Sequence, residues 1–308
     1  MATFIRIKAA AAALCLCFSL PMPANDNISF SASARAGLEQ QSNVNISALE
    51  QASGQADVAR LFEADARIQW QSTPALRVEA GYSLQDKNYR QADDFDSRLQ
   101  LAHLDASYQI GAHSLGSNFY YAKADIAQTP FLTLKQASLY SMHSIGASRF
   151  IRPSITLSEK IFDQISQRNA SNTSASIQTF WFFAQAQRFV TLGLHYEDES
   201  SRDNAFSYLA PGLSVRFSAR WSLWQFEQQV QFGAKWSQRR YTARTATDNN
   251  ADNSRRRDNH SQFDAHWQLN LSKNLATLIK LEHGNFSSTL ASADYRETRG
   301  ALALQLSF

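Results

Sequence analysis

Cysteine is nearly missing from these 308 residues: the two present, Cys15 and Cys17, sit together in one apolar run near the start. Glycine and proline are also sparse, at 11 and 6. After the first twenty residues no apolar stretch approaches the roughly 20 residues that a spanning helix needs, which excludes a helical membrane bundle. An excess of either charge is lacking too. Thirty basic residues face 27 acidic ones for a net charge of +3, and Arg6 and Lys8 in the leader supply two of those units. What remains is almost neutral, so nothing global points to nucleic acid. The seven histidines are scattered, with no pair at the spacing of a zinc site. A mean hydropathy of −0.37 would fit a soluble protein. It fits a transmembrane β-barrel equally well, because only alternate residues of each strand face lipid.

The start reads as an export signal. Arg6 and Lys8 give a positive beginning, Ala9 to Leu20 an apolar run, and Pro21-Met22-Pro23-Ala24 a break with a small residue. Cleavage is expected after Ala24, leaving residues 25–308 as one domain behind a signal peptide of residues 1–24. A cut at Ala34-Arg35-Ala36 would amputate the first strand. A lipid anchor on either cysteine fails, since Leu14 or Leu16 stands where a small residue should precede it. The mature chain then holds no cysteine, which removes disulfides and thiolate chemistry together.

What the chain does have is period two. Ile28, Phe30, Ala32, Ala34, Ala36 and Leu38 alternate with Ser29, Ser31, Ser33, Arg35 and Glu39. Phe62 to Trp70 repeats the pattern against Glu63, Asp65, Arg67 and Gln69. Leu76 to Leu84 opposes Arg77, Glu79 and Gln85. Trp224, Phe226, Val230, Phe232, Ala234 and Trp236 alternate with glutamines, Glu227 and Lys235. Between 115 and 187 both faces carry apolar residues and the phase is open. Short connections (Gln71 to Ala75, Gly111 to His113, Ser272 to Asn274) alternate with long ones (Gln40 to Asp57, Asp86 to Asp96, Glu197 to Tyr208, Gln238 to Asn259). Short periplasmic turns and long outer loops are the pattern of bacterial barrels. The expected fold is all-β: a transmembrane antiparallel up-and-down β-barrel of about fourteen strands in a Gram-negative outer membrane, among its lipids and lipopolysaccharide. A soluble sandwich would put branched aliphatics in its core. Here charged residues fill the polar face, and aromatics such as Trp70, Trp221 and Trp224 gather at segment ends as in interfacial girdles.

The chain ends on alternating Leu302, Leu304, Leu306 and Phe308. This resembles the C-terminal signal of outer-membrane barrels, and the resemblance implies recognition by the barrel assembly machinery. The last strand is expected to pair with Ile28 to Leu38, leaving no edge in lipid.

No catalytic, cofactor or metal constellation emerges. Asp264 and His266 share a face with plentiful serines, but lumen-facing polar residues are the norm in such barrels. Asp248 to Asp252 starts like a calcium loop, yet Asn253 replaces the turn glycine and Asn259 the closing carboxylate. Expected lumen-facing residues are Arg35, Arg67, Arg77, Glu79, Glu227, Lys235, Lys280, Glu282, Glu297 and Arg299. An extracellular basic loop with Arg239, Arg240, Arg244, Arg255, Arg256 and Arg257 could grip lipopolysaccharide phosphates or simply be solvated.

Two stretches narrow the family. Gln41-Ser42-Asn43-Val44-Asn45 resembles the Ser-Asn-Val loop after the first strand of barrels fused to tetratricopeptide modules. Tyr82-Ser83-Leu84, Tyr89, Phe95-Asp96 and Leu101 to Leu104 resemble their next hairpin. Overall the chain resembles the C-terminal barrel of surface lipoprotein assembly modifiers, without a preceding tetratricopeptide domain. The resemblance implies help in translocating or displaying a protein or lipoprotein client; with no catalytic constellation on the lumen face, an enzyme is not expected. A passive, porin-like pore for small solutes and a plugged structural or adhesive barrel are the alternatives.

Overall fold

A computed structural model describes residues 27–49, 51–244 and 255–308. Fourteen long strands close into one antiparallel barrel, each hydrogen-bonded to its neighbours in chain order. They are β1 (Ile28–Gln41), β4 (Asp57–Gln71), β5 (Leu76–Tyr89), β6 (Ser97–Ile110), β7 (His113–Ile126), β8 (Thr129–Ser144) and β9 (Arg149–Phe162), then β10 (Ala170–Phe183), β11 (Arg188–Ser201), β12 (Tyr208–Leu223), β13 (Phe226–Arg244), β14 (Arg255–Asn270), β15 (Leu275–Ser288) and β16 (Tyr295–Ser307). A separate two-stranded ribbon, β2 (Asn45–Ile46) and β3 (Gln51–Ala52), lies inside the first loop.

Closure follows the expected pairing. β1 meets β4 from Ile28↔Trp70 to Gln41↔Asp57, and β16 from Ser33↔Ser307 to Gln41↔Arg299. Phe308 extends that seam: its N–H donates to the Ala32 carbonyl at 2.8 Å and its carbonyl accepts from Ala32 N–H at 3.1 Å. The terminal residue thus ties down the last backbone groups of a sheet whose open edge would be intolerable in lipid.

Leu38, Leu302, Leu304, Leu306, Leu139 and Leu194 all stand exposed on the outer surface. So large an apolar surface marks contact with a hydrocarbon phase. Trp70, Tyr108, Trp221 and Trp224 ring the short-turn end, where indole and phenol suit the headgroup layer. Both described chain ends lie at this end, which short turns mark as periplasmic.

Two features depart from the sequence reading. First, strict alternation of short and long connections breaks at Ala127-Gln128, a two-residue turn on the long-loop side with φ of 47° and 63°. Left-handed backbone at both positions matches the twist of the flanking strands. Second, the first long connection falls where it is expected, between Gln41 and Asp57, but the later ones are shorter because the strands run on past the lipid. β5 reaches Tyr89, β11 Ser201 and β13 Arg244, while β14 begins at Arg255. Beyond the apolar band the outward positions turn polar (Arg60, Asp86, Arg98, Asp198, Arg240 and Arg257), so hydropathy alternation fades while the hydrogen-bonded ladder continues. Asp248 to Asn253, with its partial likeness to a calcium loop, lies outside the described residues.

Candidate functional site: a lumen crossed by the first loop

The segment joining β1 to β4 does not project outward. Its base is wired to the barrel wall by the Ser-Asn-Val stretch and its neighbours. Ser42 N–H donates to Thr298 O at 2.9 Å, Val44 N–H to Gln55 O at 2.8 Å and Ser53 N–H to Val44 O at 2.8 Å. Asn43 Oδ1 accepts from Gly54 N–H at 2.9 Å, and Val44 is fully buried. Glu297, itself buried, accepts from Gln41 Nε2 at 3.2 Å and also from Asn45 and Arg299. Each residue type has a physical reason: side-chain amides turn the chain locally, and a buried carboxylate needs several donors.

From that base the loop crosses the mouth. Its 3-10 turn, Ser47–Leu49, reaches the wall opposite β1. There Arg168, in the turn between β9 and β10, donates Nη1 to Ala48 O at 3.0 Å and Nη2 to Leu49 O at 3.2 Å. The Arg168 guanidinium also lies over the Phe206 ring at 4.3 Å. Ala48 borders a small cavity with Leu132, Phe162, Tyr208 and Tyr241. Of these, Leu132 on β8 and Phe162 on β9 put apolar side chains on the inward face, which is one reason the phase of the middle strands resists reading from sequence: the lumen wall there receives a piece of protein.

The periplasmic half is open by contrast. A cavity of about 760 Å³ is lined from β1 and β16 round to β9, by Ser31, Arg35, Arg67, Glu79, His103 and Arg152 among others. Hydrogen bonds that skip a strand, such as Lys87 Nζ to Glu39 at 2.6 Å and Tyr140 Oη to Asp105 at 3.0 Å, identify the concave face on which these side chains meet.

The expected lumen residues are distributed unevenly around that face. Arg35 pairs with Glu63 and donates Nη2 to Gln305 at 2.9 Å. Glu79 takes Arg67 at 3.2 Å and Arg77 at 2.9 Å. Glu282 takes Lys280 at 2.8 Å and Arg299 at 3.7 Å, and Arg299 also holds Glu297. Lys235 shares the lumen register with Ser214 and Gln262 without an ion pair among the described residues. Glu227, opposite Ser222, sits at the periplasmic rim.

The six arginines read as one extracellular loop are split by strand geometry. Arg239 turns inward over Tyr208 at 4.6 Å, and Arg256 is buried against Asp258 and Tyr241. Arg240 and Arg257 are cross-strand partners on the outer face, and Arg244 pairs with Arg255 in register. Period two in a strand, which a loop reading cannot apply, separates them. Sequence reasoning passed over Arg168 and Arg152. An arginine in an outer loop and an arginine in a phase-ambiguous strand carry no local signal.

Among the described residues no group of three or more His, Cys, Asp or Glu is placed to hold a metal. A closed fourteen-stranded barrel with an apolar belt and a polar interior is a Gram-negative outer-membrane protein. Residues 19–308 match the family model described as surface lipoprotein assembly modifier, and the chain belongs to that family. No curated protein matches the chain. Among solved structures, an in-vitro folded, trimeric OmpT, an outer membrane protein of Vibrio cholerae, is similar at a TM-score of 0.54 and 6% identity, covering 91% of this chain and 99% of that one. Outer-membrane expressed OmpT of Vibrio cholerae gives 0.50 and 5%, covering 91% and 97%. At such identity the likeness shows the barrel fold alone.

Proposed function

We propose that this barrel helps a protein or lipoprotein client reach the cell surface. The observation that carries the reading is the first loop, which spans the outer mouth and is pinned to the far wall while the periplasmic half of the lumen stays wide and polar. A passive solute pore works best with a standing path, whereas a client-handling barrel gains from a closure that yields only to its client. Membership in an assembly-modifier family supports the same reading. Two partners belong to it as well: the assembly machinery, grasping Leu302, Leu304, Leu306 and Phe308 during biogenesis, and lipopolysaccharide phosphates at the outward Arg240 and Arg257.

The test is surface exposure of lipoproteins co-expressed with the full chain, read by protease shaving of intact cells. Removing the chain should leave its client internal and protected. Unchanged exposure of every co-expressed lipoprotein would contradict the proposal.

A further inference from the structure

Arg152 is the fourth residue of β9 and lines the periplasmic cavity. Its guanidinium lies over the Tyr140 ring at 4.0 Å. That ring is itself fixed. The Tyr140 hydroxyl donates to both Asp105 oxygens, at 3.0 and 3.1 Å. Beneath it, a Cβ added to Gly116 would meet Tyr140 Cζ at 2.3 Å, so only glycine lets the ring lie flat there. Arg152 makes no hydrogen bond or ion pair with any described residue, and its Nε is buried without an acceptor. On the same cavity wall, Asn118 Oδ1 is buried without a donor.

A guanidinium held flat on an aromatic face, with its donor fork unspent, is preorganised for a carboxylate or phosphate. Other features of the cavity choose between those two. Asn118 Oδ1 asks for an N–H, which an amide backbone supplies and a phosphate dianion does not. Of the cavity's carboxylates, Glu79 is held by two arginines and Asp105 by Tyr140, but Asp65, on the β4 side, has no partner among the described residues. A free carboxylate across from a free guanidinium repels a compact polyanion and tolerates a chain of mixed charge.

We infer that Arg152, stacked on Tyr140, docks a side-chain carboxylate of an extended polypeptide entering from the periplasm, with Asn118 accepting a backbone N–H beside it. The inference rests on the client-handling reading and gives that lumen a chemical preference: acidic, extended segments.

The test uses the full chain refolded in detergent micelles, with phenylglyoxal labelling of arginines followed by mass spectrometry. Arg152 should label faster than Arg35 or Arg299, whose guanidinium groups are held by carboxylates. A Glu-rich hexapeptide should slow Arg152 labelling at least tenfold. The same peptide with Gln for Glu, and inorganic phosphate at equal concentration, should slow it less than twofold. Fluorescence titration with the acidic peptide should weaken at least tenfold in Arg152→Gln, with folding confirmed by the heat-modifiable gel shift. No protection by the acidic peptide overturns the site, and equal protection by phosphate overturns its assignment to a polypeptide. Because labelling needs no client, protection at Arg152 alongside unchanged lipoprotein exposure would retain the site and reject the display role.

Discussion

The two sides of the lumen are built from similar residues and use them differently. Around the closing seam, on β15, β16, β1, β4 and β5, the inward cations singled out above are each matched to a carboxylate: Arg35 to Glu63, Lys87 to Glu39, Arg67 and Arg77 to Glu79, and Arg299 to Glu297. On the facing wall, Lys160 is paired with Glu199 near the outer mouth, but Arg152, Arg216 and Lys235 have no ion pair among the described residues. The first wall spends its charges on stiffness where the barrel must hold itself shut. The second leaves them available, first to the crossing loop and then to whatever enters from below.

That contrast can be broken by mutation. The largest effect is expected at Glu297. Its replacement in Glu297→Ala strands the Arg299 and Asn45 donors in a buried site and should cost about 3–5 kcal/mol. The readout is the temperature at which the unboiled gel form is lost, and an unchanged temperature would remove the seam wall's special status. Next is Arg168→Gln, which gives up two charge-assisted hydrogen bonds of about 1.5–3 kcal/mol each. Only the loop should respond: hydrogen exchange at Val44 and Ser53 should accelerate at least tenfold while the barrel's melting stays put. Arg216→Gln and Lys235→Gln should each shift stability by no more than about 0.5 kcal/mol. A loss there approaching that of Glu297→Ala would make the two walls equivalent. A comparably small effect belongs to the outer surface, where Arg257→Gln should weaken lipopolysaccharide retention through purification by less than about 0.5 kcal/mol, at the low end of what exposed pairs contribute.

The barrel was legible because lipid enforces alternation over long strands: Leu302, Leu304 and Leu306 repeat it up to the terminal Phe308 while charged residues fill the opposite faces of the chain's strands. The seam partner of Phe308 followed from the need to leave no edge unpaired. Legibility failed where that constraint stops. Beyond the lipid, Arg240 and Arg257 face out and Arg239 and Arg256 face in, yet all four look alike as sequence. In the middle strands Leu132 and Phe162 face an inserted loop, so apolar residues appear on both faces. The loop's own path depends on Arg168 meeting two carbonyl groups some 120 residues away in the chain, a pairing that no local pattern encodes. Asn43, Val44 and Asn45 marked the loop's base through resemblance, and the hydrogen bonds explain why those residue types stand there.

Planar-bilayer recording tests the crossing loop most directly. The full chain should be largely silent, and a variant with residues 42–56 replaced by a two-residue Asn-Gly turn should show steady open channels. Steady channels of equal size in both proteins would contradict a barrel closed by its own first loop.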